Sequence, residues 1–334
     1  MATDELRAKI VKYQQEVKEK ADSYERTILT IICFDSAVRW DAAVKDYFVG
    51  SHFLPCRRLS KVGANGNVTP DVVVQLSEHN GIVGEVKITA STERDFDRAF
   101  EQMQNYDQEL KGWRTEDEAV GMHDLALLVD DLERTAAKNY FGSKSFERNF
   151  TLIACAVQRR AKEVCKIEKY YGAFSDERVE QKLAEPVPVP LEELIGQISA
   201  VKFYDTPPPT EYTMNILWMN VFNELKERNG ERKDKSLTVE CKEITRMLCE
   251  KFSFEQQDER QPKIPKEAWV REALDALVSI QYAQKDPVDG NKYYIQSYQK
   301  KGDMLAVFSK KRFEALLRGE RRSISGKQEH LFEV

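Results

Sequence analysis

Residues 68–87 read VTPDVVVQLSEHNGIVGEVK, and the prediction of the fold begins with this stretch. It has two short β-branched, apolar segments joined by polar turn residues that end in Asn80-Gly81, which predicts a β-hairpin. Because side chains alternate along a strand, Glu85 and Lys87 share one face, and Asp71 lies opposite them across the hairpin. Two carboxylates and an ammonium group then converge at one end of the hairpin. A divalent cation compensates such a cluster well.

The composition indicates a globular protein with no membrane partner. The chain has 334 residues, 41% of them hydrophobic and 32% charged, which is enough for two ordinary domains. No apolar run approaches the ~20 residues that a membrane-spanning helix needs. The N-terminal stretch is charged and amphipathic and lacks the apolar region of a signal peptide. We therefore expect a cytoplasmic protein.

The cysteines and histidines do not have the spacing of a zinc site. The six cysteines are Cys33, Cys56, Cys155, Cys165, Cys241 and Cys249. They are scattered, they form no C-x-x-C pair, and the four histidines do not cluster with them. We expect reduced, mostly buried thiols, and we expect His52 and His123 to be structural.

The elements around the hairpin predict an α/β fold with a mixed central sheet flanked by helices. Before the hairpin, the patterns predict a helix over 4–22, one or two helices over 24–48, and a strand-like segment over 52–59. After it, they predict a helix over 92–111, buried strands over 124–130 and 150–157, and a strand over 164–174 at the sheet edge.

A proline triplet at 207–209 places a domain boundary near 205–210. The expected parts are a domain over 1–205, with its N-terminal helix over 4–22 and its core over about 25–175, and a second domain over 210–334.

The second domain resembles a winged helix-turn-helix, an α+β arrangement. The predicted elements are helices over 211–228, 237–252 and 268–280, and paired strands over 292–296 and 304–308. The basic residues nearest to this wing are candidate DNA contacts: Lys300, Lys301, Lys310, Lys311 and Arg312. The alternatives are a solvated basic face and a domain that serves dimerisation.

The motif around the hairpin resembles the active site of the PD-(D/E)xK nuclease superfamily. It consists of Pro70-Asp71 followed by Glu85-Val86-Lys87, and Gln102 and Tyr106 then match the Q-x-x-x-Y motif of the RecB-like and lambda-exonuclease-like branch. Gln102 and Tyr106 share a helix face because they are four residues apart. The resemblance covers roughly residues 25–160 and implies a restriction-endonuclease-like core.

The resemblance implies a role for each motif residue. Asp71 and Glu85 would hold Mg²⁺ or Mn²⁺, and the Val86 carbonyl would be a further oxygen ligand. Lys87 would orient the attacking water or stabilise the charge of the transition state. The last two motif residues, Gln102 and Tyr106, would position the substrate or the other site residues.

Members of the superfamily often add an acidic residue from the first core helix. Our candidate here is Asp41, with Asp35 and Glu25 as alternatives.

The implied function is divalent-metal-dependent hydrolysis of phosphodiester bonds in DNA, in restriction, defence or DNA repair. RNA stays open as a substrate, and a homodimer or a partner protein is compatible with the sequence. The alternative function is a non-catalytic DNA-binding or scaffolding protein on a nuclease-like fold. In that case Asp71 only starts a strand, and Glu85 and Lys87 form a solvent-facing ion pair. The sequence has no Walker A motif.

Overall fold

The chain forms two compact units in the computed structural model, which describes residues 2–63, 66–113, 118, 120–159, 163–228, 236–254, 263–296 and 302–329. The sheet unit comprises Glu25–Asp205 and Phe254–Pro262, and the helical unit comprises Met1–Tyr24, Thr206–Ser253 and Lys263–Val334. Within the described residues, we find no helix with the length and apolar character needed to cross a membrane.

The first helix is longer at its start and shorter at its end than the sequence pattern suggested. The expected helices over 4–22 and 24–48 form one helix, α1 (Ala2–Arg39). Residues 2–39 contain neither glycine nor proline, so nothing in the sequence interrupts the helix. Because α1 ends at Arg39, the segment after it is a small hairpin of β1 (Trp40–Asp41) and β2 (Asp46–Tyr47).

The remaining elements of the sheet unit follow in chain order. They are β3 (His52–Phe53), β4 (Leu59–Lys61), β5 (Asn67–Val68), β6 (Val72–Gln75), β7 (Asn80–Lys87), α2 (Glu93–Tyr106), β8 (Leu110–Lys111), β9 (Met122–Asp130), α3 (Arg134–Phe141), β10 (Phe150–Arg159), β11 (Glu163–Gly172), α4 (Glu177–Lys182), β12 (Val187–Pro190), a 3₁₀ helix (Leu191–Leu194) and α5 (Ile195–Ala200).

Seven strands form a curled, mixed central sheet in the order β12-β11-β10-β9-β7-β6-β3. The neighbours β7, β9 and β10 run parallel, and the outer pairs are antiparallel. The strand predicted at 164–174 is therefore not at the edge, because β12 pairs with it on its outer side. Strands β5, β4 and β8 form a separate small sheet.

Helices cover both faces of the central sheet. Helices α2 and α3 pack on one face, where Phe96 and Phe141 join a buried cluster with Leu127 and Leu152. Cys155 lies three residues after Leu152 on β10, so its side chain points to the opposite face. The part of α1 in the sheet unit lies on that face, because the Cys33 side chain is next to those of Cys155 and Cys165. Residues 31–34 of α1 are a continuous apolar run and are buried there. The α/β class predicted from the sequence is confirmed in this form.

The helical unit contains α6 (Thr210–Ile216), a π-helical segment (Leu217–Val221), α7 (Phe222–Arg228), β13 (Leu237–Glu240), α8 (Cys241–Phe252), α9 (Glu267–Ser279), β14 (Ala283–Lys285), β15 (Lys292–Ile295) and α10 (Met304–Glu329). Strands β13, β15 and β14 form an antiparallel sheet in that order.

The predicted pairing of 292–296 with 304–308 is wrong, because Met304 begins a helix. Asp303 stabilises the start of α10 by accepting a hydrogen bond from the Ala306 N–H at 3.1 Å. Met304 and Phe308 are both buried, and a spacing of four residues places them on one face of a helix. Residue 292 and its neighbours pair instead with β13 and β14.

Candidate active site

The hairpin of β6 and β7 places Asp71 opposite Glu85. The antiparallel register pairs Val72 with Gly84, so Asp71, one residue before Val72, lies directly opposite Glu85, one residue after Gly84. Gly84 is required by the close approach of β9, since a Cβ atom there would lie 2.6 Å from the Ala126 carbonyl oxygen. Asp71 is only 7% exposed, and its Oδ2 accepts a hydrogen bond from the Val86 N–H at 3.0 Å.

Glu85 is the centre of the site and is 4% exposed. Its Oε1 accepts hydrogen bonds from Lys87 Nζ at 2.7 Å and from Gln102 Nε2 at 3.0 Å. Its Oε2 accepts one from the Tyr106 hydroxyl at 2.7 Å. The structure thus brings together Asp71 and these four residues.

Two of the hydrogen-bond donors to Glu85 lie on α2, and a capping box fixes the position at which this helix starts. Thr92 caps the helix and exchanges hydrogen bonds with Asp95 in a capping box. Phe96 and Met103 anchor the apolar face of the helix on the sheet. Tyr106 follows in the last position of α2, where it faces the sheet rather than the solvent.

The site contains two carboxyl groups and one ammonium group, and their burial and mutual interaction shift the pKa values of its residues. Burial raises the pKa of Asp71 well above its usual range, and the charge of Glu85 raises it further against the opposing effect of Lys87. Burial tends to lower the pKa of Lys87, but Glu85 and Asp71 outweigh it and raise that pKa. Burial and Glu85 also raise the pKa of Tyr106, which keeps its hydroxyl a donor.

The oxygen ligands of the site suit a cation such as Mg²⁺ that keeps several of its waters, rather than a metal held by protein ligands alone. Asp71 and Glu85 supply hard carboxylate oxygens. Within the described residues, no group of three or more histidine, cysteine, aspartate or glutamate side chains is arranged to hold a metal. Mg²⁺ needs no such group, because it binds through one or two carboxylates, keeps several waters and uses substrate phosphates as further ligands.

The acidic residues expected from the first core helix have other contacts. Asp41 lies on β1 and not on a helix, and its Oδ1 accepts a hydrogen bond from the Ala43 N–H at 2.8 Å. Asp35 is buried on α1 and binds the Arg39 guanidinium through both oxygens. Glu25 is exposed. The prediction that Asp41 belongs to the first core helix is therefore wrong, because the helix ends two residues before it.

Three residues near the site have no signal in the sequence pattern. The N–H of Cys56 donates to the Asp71 carbonyl oxygen at 3.4 Å, and the negative charge of Asp205 contributes to raising the pKa of Asp71. His123 on β9 lies with its Nε2 2.8 Å from the Tyr106 carbonyl oxygen. These contacts arise from strand pairing and from the return of the chain at residue 205, which the spacing of residues does not reveal.

Two of the five basic candidates, Arg312 and Lys311, contact other residues of the helical unit. Arg312 forms ion pairs with Glu211 and Glu272, each at 3.4 Å. The ammonium group of Lys311 lies 4.7 Å from the centre of the Tyr282 ring. Lys310 is exposed. Lys300 and Lys301 lie outside the described residues.

Comparisons with protein-family models, with curated proteins and with solved structures found no match to this chain.

Proposed function

We propose that this chain is a divalent-metal-dependent nuclease that hydrolyses phosphodiester bonds in DNA. The observation that carries the proposal is the arrangement around Glu85. Lys87, Gln102 and Tyr106 donate to its two oxygens, and Asp71 lies directly opposite on the paired strand. The alternative of a solvent-facing ion pair does not account for this arrangement, because the Glu85 carboxylate is nearly inaccessible to water.

Asp71 and Glu85 would hold Mg²⁺ or Mn²⁺, with the Val86 carbonyl as a further oxygen ligand. When bound, the cation lowers the pKa of a coordinated water and offsets charge on the scissile phosphate. Lys87 keeps its proton beside the two carboxylates, so it supplies a positive charge for the phosphate or for the attacking water. Gln102 and Tyr106 fix the orientation of the Glu85 carboxylate.

The helical unit is proposed to be a winged-helix-like domain that contacts the nucleic acid or a partner. The order of its elements supports this: α6 and α7 are followed by β13, α8 and α9, and then by the β14–β15 hairpin, with α10 after it. Two exposed residues of α9 are acidic, Glu272 and Asp275. Because acidic side chains repel phosphates, we place nucleic-acid contact at the exposed Lys310 of α10 rather than along α9.

A cleavage assay on the full chain tests the proposal. Linear duplex DNA, circular DNA, single-stranded DNA and RNA are each incubated with Mg²⁺, with Mn²⁺ and with EDTA. We expect metal-dependent cleavage of DNA that is lost in Asp71→Ala and in Lys87→Ala. Cleavage that survives both substitutions would contradict the assignment of the site. If no nucleic acid is cleaved although DNA is bound, the non-catalytic binding function is supported instead.

The matched control is Lys166→Ala. Lys166 and Glu168 are two residues apart on β11 and form an ion pair at 2.7 Å, the same spacing and distance as Lys87 and Glu85. This control removes a lysine from an equivalent pair outside the site, so it is expected to cleave like the wild type.

A further inference from the structure

We infer that His123 is a positioning residue for the proposed site: it holds the end of α2 so that Tyr106 presents its hydroxyl to Glu85. The inference rests on the proposed function for its catalytic consequence. Its structural part, the link from His123 to the Tyr106–Glu85 hydrogen bond, can be measured without any activity.

The backbone and the side chain of Tyr106 are bound to two neighbouring strands. His123 Nε2 lies 2.8 Å from the Tyr106 carbonyl oxygen, and the Tyr106 hydroxyl donates to Glu85 Oε2 at 2.7 Å. His123 belongs to β9 and pairs with Gly81 of β7, the strand that also carries Glu85. The two contacts therefore hold the backbone and the side chain of the last residue of α2 against one pair of hydrogen-bonded strands.

His123 provides a hydrogen-bond donor for the Tyr106 carbonyl oxygen, which has no donor within the helix. The carbonyls of the last turn of a helix have no partner within that helix, and Tyr106 is the last residue of α2. A carbonyl oxygen only accepts, so the proton of the imidazole is on Nε2. His123 is 3% exposed, and burial lowers its pKa to about 4, so the ring is neutral with a single proton near pH 7.

The consequence for the site follows from the rigidity of the helix. Gln102 is one turn before Tyr106 on α2, and both side chains donate to Glu85. A shift at the C-terminal end of α2 therefore moves both donors relative to the carboxylate. Groups that orient metal ligands typically change metal affinity or activity 10–100-fold when they are removed.

Two isosteric substitutions separate positioning from simple packing. In His123→Gln, the amide nitrogen takes the place of Nε2 and can still donate to the Tyr106 carbonyl. In His123→Asn, the amide nitrogen takes the place of Nδ1 and falls short of that carbonyl. His79→Asn is the control, because His79 is exposed on the loop before β7.

The first readout is the ¹³Cζ chemical shift of Tyr106 at pH 7 in metal-free protein that carries ¹³C-labelled tyrosine, because this shift responds to the hydrogen bond of the hydroxyl group. The Tyr106 resonance is assigned by its loss in Tyr106→Phe. We expect His123→Gln and His79→Asn to keep the wild-type chemical shift. We expect the Tyr106 resonance in His123→Asn to move toward that of an exposed tyrosine, because the hydrogen bond to Glu85 is loosened. If the two substitutions of His123 leave the Tyr106 chemical shift unchanged, or change it equally, the inference is wrong.

The second readout is the single-turnover cleavage rate at saturating Mn²⁺. We expect His123→Gln to stay within about threefold of the wild type and His123→Asn to fall about 10–100-fold. Equal rates in the two variants would overturn the catalytic part of the inference. If the wild type itself does not cleave, the proposed function fails, while the chemical shift of Tyr106 still decides whether His123 positions Tyr106.

Discussion

The hydroxyl of Tyr106 donates to Oε2 of Glu85 at 2.7 Å, in a place where both residues are almost completely buried. The two residues are 21 positions apart in the sequence and come from a helix and a central strand. Their contact links the hairpin that carries the acidic residues to the helix that carries the Q-x-x-x-Y pattern. The proposed site depends on this link.

Removing the hydroxyl of Tyr106 is expected to destabilise the protein. In Tyr106→Phe, the Glu85 oxygen loses its donor in a buried place, which typically costs about 1–3 kcal/mol of unfolding free energy. For a domain of this size, that corresponds to a fall in Tm of about 2–12 °C. Thermal unfolding followed by circular dichroism measures it. The control is Tyr140→Phe, since Tyr140 also donates to a carboxylate, Asp97, but near the surface. Equal Tm values for wild type and Tyr106→Phe would contradict the described contact.

Replacing Asp71 by asparagine is expected to stabilise the metal-free protein near pH 7. Burial and Glu85 raise the pKa of Asp71, so the folded state holds its proton more tightly than the unfolded state does. The wild type therefore loses stability as the pH rises from the ordinary pKa of aspartate through the raised pKa of Asp71. Asp71→Asn removes this loss and still accepts the Val86 N–H.

The stability of Asp71→Asn relative to wild type is measured by urea unfolding with EDTA between pH 4 and pH 8. The variant's advantage is expected to be at least about 1 kcal/mol at pH 8 and to shrink toward pH 4. An advantage that grows as the pH falls would show that the charge of Asp71 is stabilising, against this account.

Removing the ammonium group of Lys87 is expected to separate metal binding from catalysis. Lys87→Met removes the ammonium group that neighbours the carboxylates, so Mn²⁺ is expected to bind at least as tightly as in the wild type. The cleavage rate is expected to fall about 10²–10³-fold, because a charge that acts on the transition state is lost. Isothermal titration with Mn²⁺ and single-turnover cleavage measure the two effects. Loss of Mn²⁺ binding in Lys87→Met, with Lys166→Met unaffected, would show that Lys87 supports the ligands rather than the reaction.

His123 is expected to make the protein sensitive to acid. Burial lowers its pKa to about 4, so the unfolded chain takes up a proton on this residue before the folded protein does. The wild type therefore loses stability as the pH falls from about 6.5 toward 4, by on the order of 3 kcal/mol from this residue alone. His123→Gln cannot titrate, so the difference in unfolding free energy between it and the wild type is expected to change by that amount over this range. A constant difference would contradict the buried, neutral state of His123.

The hairpin and helix α2 were predictable because their signals are local. The polar residues between the two apolar segments predicted the turn, but Asn80 and Gly81 already lie in β7, where Gly81 pairs with Gln75. The four-residue spacing placed Gln102 and Tyr106 on one helix face. The end of α1 was not predictable in the same way. Apolar residues continue at helical spacing past Arg39, but they pack as a hairpin there.

The error at residues 304–308 has a related physical cause. This segment is apolar and short, and such segments fit a buried strand as well as a helix. The choice is made by the cap at Asp303 and by packing within the helical unit. His123 and Asp205 were missed for a different reason, since their positions depend on strand pairing and chain return over long sequence separations.

The most direct measurement of the central claim is the Mn²⁺-dependent cleavage rate of Glu85→Gln compared with that of Glu168→Gln. Both substitutions remove a carboxylate charge from a strand residue that binds a lysine two positions away, and both keep its shape. We predict that Glu85→Gln lowers the single-turnover rate on duplex DNA at least about 10³-fold, while Glu168→Gln stays within about threefold of the wild type. A Glu85→Gln protein that cleaves DNA at the wild-type rate would contradict the account.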